Sequence, residues 1–418
     1  MHKLFYFEIR KNYLRKYLLI AVVVLFIINL SFIYNKYIFG FDSSGYFMPH
    51  TDKTLKRWEF YINMHKKLDG VLTNSKAQFI VDENKRVASI VSDGTYSKEY
   101  QSDTYTGYYW SDYVMVSKYF YNPMKYLSMY SINNDKIVKQ AEDNIKFYDK
   151  YNNKYEKEKY KFIVNNYKGR KITLFYDTKP WEALFDYNFS DLIIMFLMLL
   201  GIVPVFVSEK ETNMQNLIMS SKKGKKSTVF VKVLATLVYI TFLVCIFSAF
   251  NILFFKCLYG LNGAEMPIYA MEKYQYTPLG YSMGTFYFIT QLFKIGGLFC
   301  FAMFILLLSS LFNRIIYPYM ISAFIMVGGI YVSGYIDSIE LGKTVMSIIS
   351  PFTLLKGNEF YIKPLGINIL NKFYLRAEIC MIVQVLIICV SYIIIHKITA
   401  RSSILSNKEF SSQVEVII

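Results

Sequence analysis

The chain has 418 residues, 54% of them hydrophobic, and a mean hydropathy of +0.26. That length could hold two soluble domains, but the apolar residues fall in blocks, several of them near the roughly 18 residues that cross about 30 Å of hydrocarbon, so they read as membrane spans. The formal charge of +16 comes without any zinc-finger, RRM or basic-helix pattern and clusters beside the apolar blocks; nucleic acid is therefore not the expected partner, and membrane topology with anionic lipid accounts for the charge better.

The first apolar block runs uncharged from Tyr17 to Tyr34, after Lys3, Arg10, Lys11, Arg15 and Lys16. Basic residues before the block predict an inside-to-outside span. A signal peptide is disfavoured because no small-x-small cleavage site follows. Residues 35–186 are polar, lack a spanning block and carry many tyrosines, as in the run from Tyr96 to Tyr113, so they predict an extracellular domain. Short alternating runs at Ala77–Glu83 and Arg86–Asp93, joined at Asn84 and Lys85, predict a hairpin. Ile137, Ala141, Ile145 and Phe147 or Tyr148 sit near helical spacing, and Lys171–Asp177 reads as another strand, which makes the domain α+β.

The second span is expected over Leu192–Val207, extended outward through Leu184, Phe185 and Phe189, with Asp186 and Asp191 left near the headgroups. A polar stretch, 208–228, follows and ends in Lys222, Lys223, Lys225 and Lys226. Further blocks at Val229–Phe255, Phe286–Leu311, Ile315–Tyr335 and Ile379–Ile395 complete six transmembrane helices. Asn313 and Arg314 mark a tight turn that makes the fourth and fifth spans antiparallel neighbours. Lys294, inside the fourth block, is expected to snorkel outward. The organisation is thus 1–34 (cytoplasmic amphipathic helix and first span), 35–186 (extracellular domain) and 187–418 (the other five spans). Both termini are placed in the cytoplasm, on the side with roughly twice as many Lys and Arg as the short outer loops. The loop 336–376, itself basic, fits that bias least.

No phosphate loop, HExxH, GxSxG or kinase signature occurs, and His2, His50, His65 and His396 are too scattered to form one site. Cys245, Cys257, Cys300, Cys380 and Cys389 lie in or beside apolar blocks without a CxxC pair, as small packing residues would. No catalytic, cofactor-binding or metal residues are expected in this chain. The stretch from Val207 to Lys232 stands out. Met214, Leu217 and Ile218 share a helical face, and Glu209 and Glu211 would occupy the first turn, where the helix dipole favours negative charge. This predicts a surface helix that either docks a cytoplasmic partner or is an ordinary interfacial loop.

The run FVSEKETNMQNLIMSSKKGKKSTVFVKVLA, Phe206 to Ala235, resembles the first intracellular loop of the ABC type-2 transporter permease family: Phe-x-x-Glu, then Leu-Ile-x-Ser, then basic residues and a Lys in the next span. KLFYFEIRKNYLRKYLLI at Lys3–Ile20 is similar to that family's amphipathic N-terminal helix. SPFTLL at Ser350–Leu355 resembles its last outer loop. A large outer insertion after the first span occurs in the bacterial exporter branch. One departure is the lysines at Lys222 to Lys225, where the family often has a proline, which leaves the limits of the loop helix open.

The resemblance implies a permease subunit of an exporter for an amphipathic substrate, whether peptide, antimicrobial or lipid-like. It implies a second permease subunit, the same or related, and a separate cytoplasmic ABC ATPase that binds ATP and Mg. Glu209, Glu211, Met214, Leu217, Ile218 and Ser221 would then be the coupling helix in contact with that ATPase. Small residues of the fifth span, Ser322, Gly328, Gly329 and Ser333, would line the translocation path, or would only let helices approach closely. The tyrosine-rich outer domain would gather substrate or act as a lid. Two other readings compete. One is a non-transporting sensor or immunity protein whose outer domain binds a ligand; the other is a permease of macrolide-exporter type, against which the six blocks stand.

Overall fold

The computed structural model describes residues 2–40, 52–92, 109–214 and 224–415. Among the described residues, six helices are long and apolar enough to cross a membrane: Lys16–Asn35, Lys179–Glu211, Ser227–Tyr259, Met283–Leu311, Ile316–Ser333 and Arg376–Ala400. They are called spans 1 to 6. The most apolar stretch of span 2 is 83% buried inside the molecule, against 17% for spans 1 and 5 and 22% for span 6. Span 2 is therefore the centre of the bundle, while spans 1, 5 and 6 leave most of their apolar surface to lipid or to another chain.

Before span 1 lies a short helix, α1 (His2–Asn12), which packs its buried Glu8 and Asn12 inward. Helix α2 (Lys16–Gly40) contains span 1. The region after it is mostly helical: α3 (Asp52–Leu68), α4 (Asn74–Ser92), α5 (Tyr109–Val116), a π-turn at Ser117–Tyr121, α6 (Asn122–Lys150) and α7 (Lys154–Tyr167). The helix expected around Ile137–Tyr148 is present as part of α6. The hairpin expected over Ala77–Asp93 is not: Ala77, Ile80, Asn84 and Val87 recur at helical spacing, and Ile80 and Val87 point into the core of α4's inner face. The strand expected at Lys171–Asp177 shrinks to β2 (Leu174–Phe175), which pairs antiparallel with β1 (Gly70–Val71). Among the described residues this two-residue ladder is the only sheet in the region, so the structure does not show an α+β domain. Most of the run from Tyr96 to Tyr113 lies outside the described residues.

Span 2 is built from three pieces, α8 (Lys179–Phe185), α9 (Phe189–Ile202) and α10 (Pro204–Glu211). Spans 3 and 4 belong to α11 (Gly224–Tyr259) and α12 (Met283–Leu311), and span 5 is α13 (Ile316–Ser333). The four-residue connection between α12 and α13 is the tight turn expected at Asn313 and Arg314.

The loop before span 6 is ordered and dips into the bundle. It holds α14 (Leu341–Ile349), a 3-10 turn at Pro351–Lys356, and a hairpin of β3 (Gly366–Ile369) and β4 (Lys372–Leu375) that runs straight into α15 (Arg376–Glu415). Phe352, Leu354 and Leu355 of the SPFTLL run are buried between spans 4 and 5. There they need glycine: a Cβ on Gly297 would lie 2.5 Å from the Pro351 carbonyl oxygen, and one on Gly329 would lie 2.1 Å from the Phe352 ring. Gln384 of span 6 donates to the carbonyls of Ile348 and Ile349, both at 3.0 Å, satisfying backbone that α14 leaves open at its end.

The helices after span 1 are tied to the short connection between spans 3 and 4. Arg170 donates to the carbonyls of Thr277 (2.7 Å) and Pro278 (2.9 Å), Tyr126 to that of Tyr269 (2.7 Å), and Tyr167 to that of Tyr276. Trp181 donates to the carbonyl of Asn262 at 2.7 Å. The region therefore sits on the same end of the bundle as that connection.

Candidate functional site

The break in span 2 sets up the most distinctive site. Pro204 has no N–H to give the carbonyl of Leu200 one turn earlier, and its ring separates α9 from α10. Orphaned backbone in a membrane must find partners in the protein. Here Ser309 of span 4 does most of this: its hydroxyl donates to the Val203 carbonyl at 2.7 Å and accepts from the amides of Phe206 at 3.1 Å and Val207 at 3.0 Å. Tyr319 of span 5 reaches the Leu200 carbonyl at 3.5 Å.

Three consecutive residues at the end of α10 then bind three different elements. Glu209 is buried and accepts Lys11 of α1 on one carboxylate oxygen and Lys232 of span 3 on the other, each at 2.5 Å. The Lys232 side chain is 0% exposed; it also donates to the Val205 carbonyl at 2.9 Å and lies 4.3 Å from the centre of the Phe206 ring. Lys210 donates to the carbonyls of Ser310 and Phe312, which end the fourth span's helix. Glu211 accepts the Ile315 amide at 2.8 Å, at the start of the fifth span's helix. The turn between spans 4 and 5 is thus gripped at both ends by adjacent residues of α10. Beside Lys232, Thr236 bonds Tyr13 at 2.7 Å, and Tyr13 stacks on Tyr239 with ring centres 4.3 Å apart.

Glu8 completes the cluster, accepting from Asn12 at 2.9 Å. Burial pushes its carboxyl up from its ordinary value of 4.5, and the neighbouring Glu209 carboxylate adds to the shift against the opposing pull of Lys232 and Lys11. The arrangement makes one rigid joint of α1, α10, span 3 and the turn between spans 4 and 5.

This corrects the placement of two residues. Glu209 and Glu211 end α10 instead of opening a surface helix, because the apolar register of span 2 continues through Phe206 and Val207 and stops only at Thr212, with Asn213 in the left-handed region at φ 55. Glu209 faces inward, so its charge serves the joint and not an exposed surface. Met214 is exposed just beyond it. Leu217, Ile218 and Ser221 lie outside the described residues.

A second buried ion pair lies on the other side of the bundle's midplane. Lys294 of span 4 pairs with Asp191 of span 2 at 2.9 Å. Lys294 thus has a partner in place of the expected snorkelling, and each charge offsets the other's loss of water. Around the pair, Asn29, Tyr187, Ser190 and Asn251 form a chain of hydrogen bonds of 2.6–3.1 Å that joins spans 1, 2 and 3. Ser248 and Gln291 join spans 3 and 4 at 2.6 Å.

The candidate path residues have different surroundings within the chain. Ser333 is buried and donates to its own helix at Ile330, Gly329 is filled by Phe352, and Gly328 faces open space. Ser322 is fully buried, and its hydroxyl has no partner among the described residues. Among those residues, no group of three or more His, Cys, Asp or Glu side chains could hold a metal ion.

Neither Glu209 nor Lys294 announces its partner in sequence, since the pairs are separated by 198, 23 and 103 residues. The only available signal was a charge placed inside or at the edge of an apolar block. The fold and these two charge clusters define a multi-pass membrane protein. No protein-family model, curated protein or solved structure matches the chain.

Proposed function

We propose that the chain is the permease subunit of an ATP-driven ABC exporter. A separate ATPase subunit, with ATP and Mg, would supply the energy, and a second permease subunit would complete the path for an amphipathic substrate. The observation that carries this reading is the joint at Glu209, Lys210 and Glu211. A polar segment of about ten residues leaves directly from the point where α1, span 2, span 3 and the turn between spans 4 and 5 are locked together. A push on that segment would move several spans as one body, which is what a transporter driven from outside its own chain requires. The resemblance of Phe206–Ala235 to a coupling loop agrees with this placement.

In this reading the loop beginning at Met214 rests on the ATPase, and the joint carries the motion of the closing ATPases into spans 2 to 5. Glu209 serves as the anchor of the lever and Met214, Leu217, Ile218 and Ser221 as its contact face. The test is affinity purification of the tagged chain from native membranes in mild detergent. The wild type should bring down a nucleotide-hydrolysing protein, and the variant Met214→Asp/Leu217→Asp/Ile218→Asp should lose it while keeping its own gel-filtration profile. Absence of any ATPase from the wild-type material under several mild detergents would refute the proposal.

One observation favours the sensor reading. The helices after span 1 are tied by Arg170, Tyr126 and Tyr167 to the connection between spans 3 and 4, so ligand binding there would reach the spans directly. That reading predicts signalling that survives loss of every ATPase partner.

A further inference from the structure

Polar side chains inside a bundle of spans are costly unless each of their donors and acceptors finds a partner. Beside the Asp191–Lys294 pair such side chains surround a small cavity between spans 2, 3 and 4, lined by Ser190, Ser248, Thr290, Gln291 and Lys294. Its size decides what it can hold. The centre of a water molecule can range over about 10 Å3 there, which is the room one water needs and too little for an organic ligand.

The hydrogen-bonding groups of the lining decide the rest. The Lys294 ammonium carries three N–H groups, and Asp191, 2.9 Å away, has two oxygens to meet them. Lys294 lines the cavity and Asp191 does not, so the lysine stands between its carboxylate and the cavity. The buried Ser190 oxygen accepts from Asn251 at 3.1 Å, while its own O–H has no acceptor among the described residues. Ser248 and Thr290 direct their protons elsewhere, to the Gln291 side-chain oxygen at 2.6 Å and the Tyr287 carbonyl at 2.7 Å. Each of these two hydroxyl oxygens keeps a lone pair, so both serve the cavity they line as acceptors. Two donors and two acceptors are thus left over around a space the size of one water.

We propose that this cavity is an internal water site. One water accepts from the Lys294 ammonium and the Ser190 hydroxyl and donates to the oxygens of Ser248 and Thr290, which completes the solvation of the ion pair and bridges spans 2, 3 and 4. A neutral molecule with two lone pairs and two hydrogens matches all four groups. A bare cation would meet the Lys294 ammonium, and an anion would meet the Ser248 and Thr290 oxygens with nothing to give them. The site is independent of any ATPase partner and stands or falls separately from the exporter reading.

The test is X-ray radiolysis of the full-length protein in detergent, which turns each water into a short-lived hydroxyl radical that oxidises the side chains beside it, read residue by residue by mass spectrometry. Tyr287 borders the cavity and Tyr239 does not, yet both are 7% exposed, so they form a matched pair. Tyr287 should be oxidised several-fold faster than Tyr239. Lys294→Met with Asp191→Leu removes the ion pair that the water solvates, and should bring Tyr287 down to the Tyr239 rate. Equal rates for the two tyrosines in the wild type would overturn the proposal, as would a Tyr287 rate that the double variant leaves unchanged. So would suppression of Tyr287 oxidation by a membrane-impermeant scavenger as fully as that of the exposed Tyr276, which would show radicals arriving from bulk solvent.

Discussion

Replacing Glu209 by Gln keeps the shape of the joint and removes its only shared anion. In the native protein that carboxylate neutralises two lysines at 2.5 Å each, one of them with a fully buried side chain. After the change Lys232 remains at 0% exposure, bonded to the Val205 carbonyl and set against the Phe206 ring, and it and Lys11 keep only the Glu8 carboxyl nearby, whose charge burial disfavours and which makes no ion pair with either. Breaking a buried pair by removing one member costs about 3–5 kcal/mol, because the surviving ion is left desolvated. In a mild-detergent thermal series read by loss of the monodisperse gel-filtration peak, Glu209→Gln should lower the midpoint by on the order of 5–10 °C. Adding Lys232→Met removes the orphaned cation and fills its space with apolar atoms, so the double variant should recover more than half of the loss. A single variant within about 1 °C of wild type would show that the two lysines are not desolvated. A double variant as unstable as the single one would show that the loss came from packing, and either result refutes the ionic account of the joint.

Four further outcomes follow from the same geometry. Glu8 has a carboxyl raised by burial, so the folded state holds its proton more tightly than the unfolded chain does; the stability this gives is present at low pH and lost as pH rises from about 4.5 through the folded value. Glu8→Gln, whose amide oxygen can still accept from Asn12, should therefore raise the midpoint at pH 7 and flatten its fall with pH. Ser309→Ala frees three backbone groups at the Pro204 break and should cost about 1–3 kcal/mol, which urea or thermal titration would show as a lowered midpoint. Gly329→Ala should destabilise by about 1–3 kcal/mol against Phe352, whereas Gly328→Ala, with nothing near it, should not; equal effects would remove the packing explanation. Lys294→Met should be more harmful than Lys294→Met with Asp191→Leu, because only the single change strands a carboxylate between the spans.

The six spans were legible because a membrane helix writes its length directly into the sequence as an unbroken apolar block. The bent course of span 2 was not read from the sequence: Pro204 lies inside the expected span 192–207, and its remedy, Ser309, lies more than a hundred residues away. The same separation hid the partners of Glu209 and Lys294, and with them the fact that both charges point inward. The segment 77–93 was misread because its residues satisfy both periods. AQFIVDE and RVASIVSD alternate as strands do, yet Ala77, Ile80, Asn84 and Val87 also trace a helical face, and packing of Ile80 and Val87 selects the helix. Of the two glycines of span 5, Gly329 meets a close neighbour, and only the structure reveals that it is the Phe352 side chain of SPFTLL; Gly328 faces open space.

The central claim is that the loop leaving the joint rests on an ATP-hydrolysing partner. A photo-crosslinking amino acid placed at position 214, where the side chain is exposed just beyond α10, tests it in intact cells. The adduct is then identified by mass spectrometry. The account predicts one dominant adduct, with a protein that carries a phosphate-binding loop, whose yield changes when cellular ATP is depleted. Crosslinking only to lipid, or to a protein without any nucleotide-binding motif, would contradict it.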